Sequence, residues 1–237
     1  MSRRSFLITC EHAGNFVPAN YRYLFLGNEA VLDTHRGIDI GAGALAENLA
    51  DLLKLPLYVN VVSRLLIDSN RSKFNPELYS EFSKTLDPVV KKFLMKKYYT
   101  AYRQQVYEWI KERARKTDSV VHLSIHTFTP VLKGEVRSAD IGILYDEKRE
   151  PEAKISKQLV NELAIFAPQF VTKHNYPYFG TADGFTTYLR KEFRPQNYSG
   201  IEIEVNNKHH SKPQMEEIKK ALQSAVRSVM SEEAALC

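Results

Sequence analysis

Cysteine is almost missing from this chain: Cys10 and Cys237 are the two that occur in 237 residues. That excludes a disulfide-stapled secreted scaffold and a thiolate-rich metal centre. Long apolar runs are missing too, and none approaches the roughly 18 residues that a bilayer span requires. The basic start Met1-Ser2-Arg3-Arg4 is followed by an apolar stretch over 6–10, too short for the apolar segment of a secretory signal. A reducing, cytoplasmic home and no membrane partner are the expectations. Charge of one sign is not in great excess, since 33 basic against 28 acidic residues leave +5, spread along the chain. Without a clustered Lys/Arg face, nucleic-acid binding is not expected, although a mild preference for anions is. Repeats, low-complexity tracts and linkers are also lacking, so one domain over 1–237 is expected. What is present is ordinary globular material, 43% apolar and 26% charged, which argues against disorder. Nothing in the sequence assigns an oligomeric state.

Short strand-like runs alternate with amphipathic helical stretches, the pattern of an α/β fold with a largely parallel sheet. The runs are 6–10, 57–62, 120–126, 141–145 and 201–205, and the helices 40–53, 89–115, 151–167 and 213–231. The helix over 89–115 is the clearest. Asp87 suits its cap and Pro88 its first position, and Val90, Leu94, Tyr98, Tyr102, Val106 and Ile110 form an i, i+4 stripe. A stripe of this kind packs into a core rather than lining a ligand site.

The reactive residue types gather just after the strand-like runs: Glu11 and His12, then Arg64, Asp68, Asn70 and Arg71, then His126, with Glu202 and Glu204 inside the last run. Open α/β sheets bind ligands beyond the carboxyl ends of their strands, so this gathering marks a candidate active site. His122 and His126 are four apart, but Val121, Leu123 and Ile125 alternate with them, so the segment is a strand. Four strand residues span roughly 13 Å, too far for both imidazoles to hold one ion. His126, at the strand's end, is the better ligand, and His122 is expected to be a half-buried, hydrogen-bonded histidine.

A catalytic zinc needs three protein ligands and an open position. His12 and His126 supply two. The third is Asp39 or Glu11. Asp39 begins the helix 40–53, where a capping role competes. Glu11 neighbours His12, but adjacent strand residues point to opposite faces. Asn70-Arg71 suits a carboxylate, which a guanidinium grips with two hydrogen bonds, although a lone arginine more often makes a surface ion pair. Arg64 and Arg137 carry the same ambiguity. The segment 176–184, with Tyr178, Gly180, Asp183 and Gly184, reads as a tight aromatic loop. Glu202 and Glu204 share one face of their strand, and in a sheet covered on both sides that face lines a polar cleft. A carboxylate beside a metal-bound water is the usual base for hydrolysis.

Taken in order, Glu11-His12-Ala13-Gly14-Asn15, His35-Arg36-Gly37-Ile38-Asp39, Ser63-Arg64 with Asp68-Ser69-Asn70-Arg71, His126-Thr127-Phe128, Arg137-Ser138-Ala139-Asp140, Asn175-Tyr176-Pro177-Tyr178, Ala182-Asp183-Gly184 and Gly200-Ile201-Glu202-Ile203-Glu204 resemble the N-formylglutamate amidohydrolases, also called N-formylglutamate deformylases. That family looks related to the zinc carboxypeptidases and aspartoacylases. The resemblance implies their three-layer α/β/α fold with a mixed, largely parallel central sheet, the phosphorylase/hydrolase-like arrangement. It implies Zn2+ on His12 and His126, Asn70-Arg71 on the substrate's carboxylate, and Glu204 as the base. Those relatives take a third ligand from a glutamate three residues after the first histidine. Asn15 stands there in this chain, so Asp39 is the substitute and Glu11 the reserve. Arg64 or Arg137 is expected to steady the oxyanion, and Tyr178 and Glu202 to contact the substrate. The implied reaction converts N-formyl-L-glutamate, a small molecule of amino-acid (histidine) catabolism, to formate and L-glutamate. A zinc hydrolase acting on another N-acyl amino acid or peptide is the alternative within the class. A non-catalytic carboxylate- or peptide-binding protein is the alternative outside it, and the intact set of candidate ligands speaks against that.

Overall fold

The computed structural model describes residues 4–117 and 119–235, so residues 1–3 of the basic start and Cys237 lie outside the described residues. In chain order the strands are β1 (Arg4–Cys10), β2 (Leu57–Val59), β3 (Ser119–Phe128), β4 (Val131–Leu132), β5 (Glu135–Val136), β6 (Ile141–Leu144), β7 (Thr172–His174) and β8 (Tyr198–Asn206). The helices are α1 (Ala42–Leu53), α2 (Pro88–Leu94), α3 (Ala101–Lys116), α4 (Glu150–Phe166), α5 (Phe185–Glu192) and α6 (Pro213–Ala235). A six-stranded sheet runs in the order β2-β1-β3-β8-β6-β7, and β4 and β5 form a separate hairpin. β2, β1, β3 and β8 are parallel, β6 runs against β8, and β7 is parallel to β6. The sheet is therefore mixed and largely parallel, as the sequence implies.

Alternation along the strands builds three layers. Phe6, Ile8, Val121, Leu123, Ile125, Ile201 and Ile203 point to one face, which α1, α4 and α6 cover. Leu7, Val120 and Tyr198 point to the other, where α3 brings Tyr102, Val106 and Ile110 and α5 brings Phe185 and Leu189. Truncating a buried central residue such as Leu123 to Ala is worth ~2–5 kcal/mol of lost transfer and cavity energy.

Four local departures from the sequence expectations have physical causes. The strand over 57–62 stops at Val59 because Asn60 turns the chain: its Oδ1 accepts from the Val62 N–H, and its Nδ2 donates to Ser69 Oγ at 2.8 Å. The long helix is capped by Asp87, whose carboxylate accepts from Val89 N–H at 2.7 Å. It is then interrupted by a π turn over Met95–Thr100. The wider turn shifts the stripe, so Tyr99 is buried where the simple i, i+4 count places Tyr98. α1 begins at Ala42 rather than 40, after Gly41 in the left-handed region at φ 87°. Finally, α5, β7 and the β4–β5 hairpin are short elements not expected from the sequence. Among the described residues no helix is long and apolar enough to cross a membrane.

Candidate active site

On the face that α3 and α5 cover, alternation puts polar residues where the opposite face has Ile, Val and Leu. Thr9 and Glu11 come from β1 and its exit, His122, Ser124 and His126 from β3, and Glu202 and Glu204 from β8. The parallel register sets Ser124 beside Glu202 and His126 beside Glu204. His122 lies deepest and is wholly buried, not half-buried as the sequence suggests. Thr9 Oγ1 meets its Nε2 at 2.7 Å and the Tyr198 hydroxyl its Nδ1 at 2.8 Å. Burial pulls its pKa down to about 4, which leaves a neutral ring with both nitrogens satisfied.

Nearer the carboxyl ends, His12, Asp39 and His126 converge. One ligand atom from each lies within 4.8 Å of the others. Asp39 Oδ2 stands 2.8 Å from His126 Nδ1 and 3.3 Å from His12 Nδ1. The far nitrogens are held from behind: His12 Nε2 meets Asp68 Oδ1 at 2.7 Å, and His126 Nε2 meets Ser124 Oγ at 3.0 Å and Glu11 Oε2 at 3.2 Å. Both rings are thereby fixed with Nδ1 facing Asp39. The Asp39 backbone N–H donates to the His12 carbonyl at 3.2 Å, which pins the 39 loop to the exit of β1. Its carboxylate caps no helix; Gly41 occupies the cap of α1 with no side-chain hydrogen bond. Glu11, the reserve ligand, stands behind His126, where Tyr102 and Ser124 donate to it at 2.8 and 2.5 Å.

The charges are tightly set. Burial alone would push the Asp39 carboxyl up, but His12, His126 and Arg64 hold it well below the usual carboxylate range. Asp68 is likewise held low against its burial by His12 and Arg64, and Glu11 by His126 and Ser124. Burial opposes the charged form of His126, yet Asp39 and Glu11 raise its pKa well above the usual value, and His12 is raised by Asp68 and Asp39. Arg64 spends its donors on these acids, giving Nη1 to Asp39 at 2.9 Å and Nε and Nη2 to Asp68 at 3.3 Å.

Glu204 behaves differently. It is 5% exposed, and among the described residues its Oε2 has no hydrogen-bond partner. Burial, with Asp39 and Glu202 nearby, raises its pKa to about 7 in spite of His126. It faces a cavity of about 150 Å³ that His12, Asp39, Arg64, Asn70, Arg71 and His126 also line, with Tyr178 and Glu202. Glu202 accepts from the Thr186 hydroxyl at the start of α5. Asn70 Oδ1 accepts from Phe185 N–H at 2.7 Å, and Arg71 Nη1 donates to the Asp183 carbonyl at 3.4 Å. The fork Asn70-Arg71 is thus clamped against the α5 turn. Arg137 is the candidate that stays outside this cavity: it lines an adjoining groove and donates Nη2 to the Tyr178 hydroxyl at 3.0 Å. Asp68, gathered with the reactive residues after β2 but given no specific role there, proves to hold His12 from behind, and Ser124 and Thr186 are not among the sequence candidates. For Asp68 a signal existed, since it sits two residues before Asn70-Arg71 in a segment that follows a strand.

A buried carboxylate poised near neutrality, a cluster of imidazole and carboxylate ligand atoms, and an arginine fork in one cavity can bind a carboxylate and activate water for amide hydrolysis. Comparison with known proteins agrees. A family model described as N-formylglutamate amidohydrolase matches residues 4–210. Comparison with curated proteins gives no match. Among solved structures, a gene product of Agrobacterium tumefaciens is 27% identical, covers 96% of this chain and 92% of its own, and superposes with a TM-score of 0.79. An N-formylglutamate amidohydrolase from Ralstonia eutropha JMP134 is 17% identical, with coverages of 94% and 92% and a TM-score of 0.69, a likeness of fold.

Proposed function

This chain belongs to the N-formylglutamate amidohydrolase family, as the match over residues 4–210 shows, and from that premise we propose that it hydrolyses N-formyl-L-glutamate, or a closely similar N-acyl amino acid, with zinc held by His12, Asp39 and His126. The family makes it a hydrolase of amide bonds. The observation that carries the finer reading is Glu204, a buried carboxylate with an unpartnered Oε2 beside the three converging ligands.

The donor set fits zinc. Two imidazole nitrogens and one carboxylate oxygen suit that ion better than magnesium, which prefers oxygen. Each histidine also has its other nitrogen engaged by a carboxylate, the arrangement that orients metal-binding imidazoles. When bound, zinc supplies Lewis-acid polarisation of the amide carbonyl and lowers the pKa of water.

The chain's own residues do the rest. Arg71 and Asn70 hold the carboxylate of the amino acid and so orient the acyl nitrogen over Glu204. Glu204 takes a proton from the attacking water at Oε2 and returns it to the departing amine, so water adds across the C–N bond to give a carboxylic acid and a free amine. Asp39 and Asp68 fix Arg64 at the edge of the cavity, and Arg137 in the adjoining groove donates to Tyr178, which lines both. Of the two arginines expected to meet developing negative charge on the carbonyl oxygen, Arg64 lines the cavity and takes that role in this reading, whereas Arg137 stands in the adjoining groove. The test is metal analysis of the purified protein together with formate release from N-formyl-L-glutamate. Stoichiometric zinc and zinc-dependent formate are expected. A protein that binds no zinc and releases no formate would sink the reading.

A further inference from the structure

The reaction cavity does not end at the candidate ligands. A groove of about 570 Å³ joins it, and Asp39, Arg64, Arg71, Thr127 and Tyr178 line both. Asn70, Asp183 and Glu202 line the inner cavity alone, and His35, Arg36, Lys84, Thr129, Leu132 and Arg137 the groove alone. Asp39 therefore stands at the boundary together with Arg64, Arg71, Thr127 and Tyr178, with Asn70 and Glu202 on the inner side and the groove on the other. About 150 Å³ holds a compact amino acid, whereas pockets for larger ligands run from roughly 300 to 1,000 Å³, a range the groove itself reaches. A formyl group has one carbon and leaves that groove unused.

We propose that the natural substrates include N-acyl amino acids whose acyl arm is several atoms longer than formyl and ends in a carboxylate or amide, with the arm lying in this groove. This deepens the reading of the site as an amidohydrolase centre and rests on it. If the amino acid's carboxylate lies at Asn70-Arg71 and its scissile carbonyl beside Asp39, the acyl arm is directed outward past Arg64 and Thr127. The groove's wall chemistry selects the end of that arm. Arg36 is paired with Glu81. Arg137 lies over the Tyr178 and Phe128 rings, at 5.0 and 5.7 Å to their centroids, and donates to the Tyr178 hydroxyl. Among the described residues no carboxylate pairs with Arg137, so its remaining donors are available to a charged or amide oxygen. The reaction is the same hydrolysis: water adds across the C–N bond, and the longer carboxylic acid leaves with the free amino acid as the second product.

The experiment compares kcat/KM of the zinc-loaded protein on N-formyl-, N-butanoyl- and N-succinyl-L-glutamate. The succinyl compound is expected to match or exceed the formyl one and to exceed the uncharged butanoyl one at least ~10-fold, the size of a charge-assisted contact. Leu132→Trp, which narrows the groove from the hairpin side, is expected to lower the succinyl-to-formyl ratio ~10-fold or more; Thr129→Trp serves if the first variant does not fold. Formyl cleavage with succinyl cleavage a hundredfold weaker would overturn this proposal and leave the deformylase reading standing. So would a ratio that neither groove variant moves. If no acyl compound is hydrolysed, the reading of the site falls and the proposal with it.

Discussion

Glu202 and Glu204 share one face of β8, yet their neighbours divide their work. Glu202 is engaged by the Thr186 hydroxyl, which leaves it suited to shaping the cavity floor. Glu204 has an unpartnered oxygen and a pKa raised to about 7, chiefly by burial, which suits proton transfer near neutrality. Glu204→Gln is accordingly expected to lower kcat by about 10² to 10⁴ with KM little changed. Near wild-type turnover in that variant, with loss in Glu202→Gln, would move the base to Glu202. The pH profile follows from the same group. Glu204 must be ionised to accept a proton, so log kcat/KM is expected to fall on the acid side of its pKa, which burial raises to about 7 without metal and which a bound cation moves lower. A profile flat from acid to neutral pH would remove Glu204 as the base. Arg71 acts on binding instead. Arg71→Ala is expected to raise KM and cut kcat/KM by roughly tenfold to a hundredfold, and Arg71→Lys to recover part of it, because lysine keeps the charge and loses the two-toothed grip.

At the scale of elements, the start of α1 decides the role of Asp39. Its carboxylate reaches His12, His126 and Arg64, while Gly41 takes the cap. Asp39→Asn is therefore expected to weaken zinc binding ~10-fold or more in a chelator competition, with a much smaller effect on the melting of the metal-free protein. Unchanged zinc affinity would shift the third ligand to Glu11. Much of this was legible in the sequence. Alternation along 120–126 and 201–205 put His126, Glu202 and Glu204 on one face, and the clustering of reactive residues after strands marked the end of the sheet where the structure brings them together. The contacts between distant segments were not. Asp68 behind His12 and Glu11 behind His126 join residues that no local period relates, and the end of β2 at Val59 depends on one Asn60 side chain. The π turn that buries Tyr99 instead of Tyr98 is equally invisible, because tertiary packing and not helical period places it. The short α5 carries only Phe185 and Leu189 as a stripe, too little to stand out, although it clamps Asn70.

Over the whole molecule, the cluster gathers charge from segments that span the chain. Glu11, Asp39, Asp68 and Glu204 are buried around His12, His126 and Arg64, where the exits of β1 and β3 meet β8. Several carboxylates in low dielectric need cations, and in the metal-free protein protons on the two imidazoles supply part of that charge. The sign of the pH dependence follows. His12 and His126 have raised pKa values in the folded chain, so their contribution to stability is present below the unfolded value of ~6.5 and is lost as pH rises through the raised values. Zinc bound as proposed would replace those protons, so its binding would compete with them. Its stabilising effect should therefore grow as the solution becomes more basic. At free zinc ~1,000-fold above Kd the gain is about 4 kcal/mol, which for a chain of this size raises Tm by ~8–16 °C. Thermal melts with zinc and with chelator should show a larger zinc shift at pH 8 than at pH 6, and His126→Ala should abolish the shift at both. An equal shift at the two pH values would mean that zinc does not displace protons from this cluster, and a shift that survives His126→Ala would put the metal elsewhere.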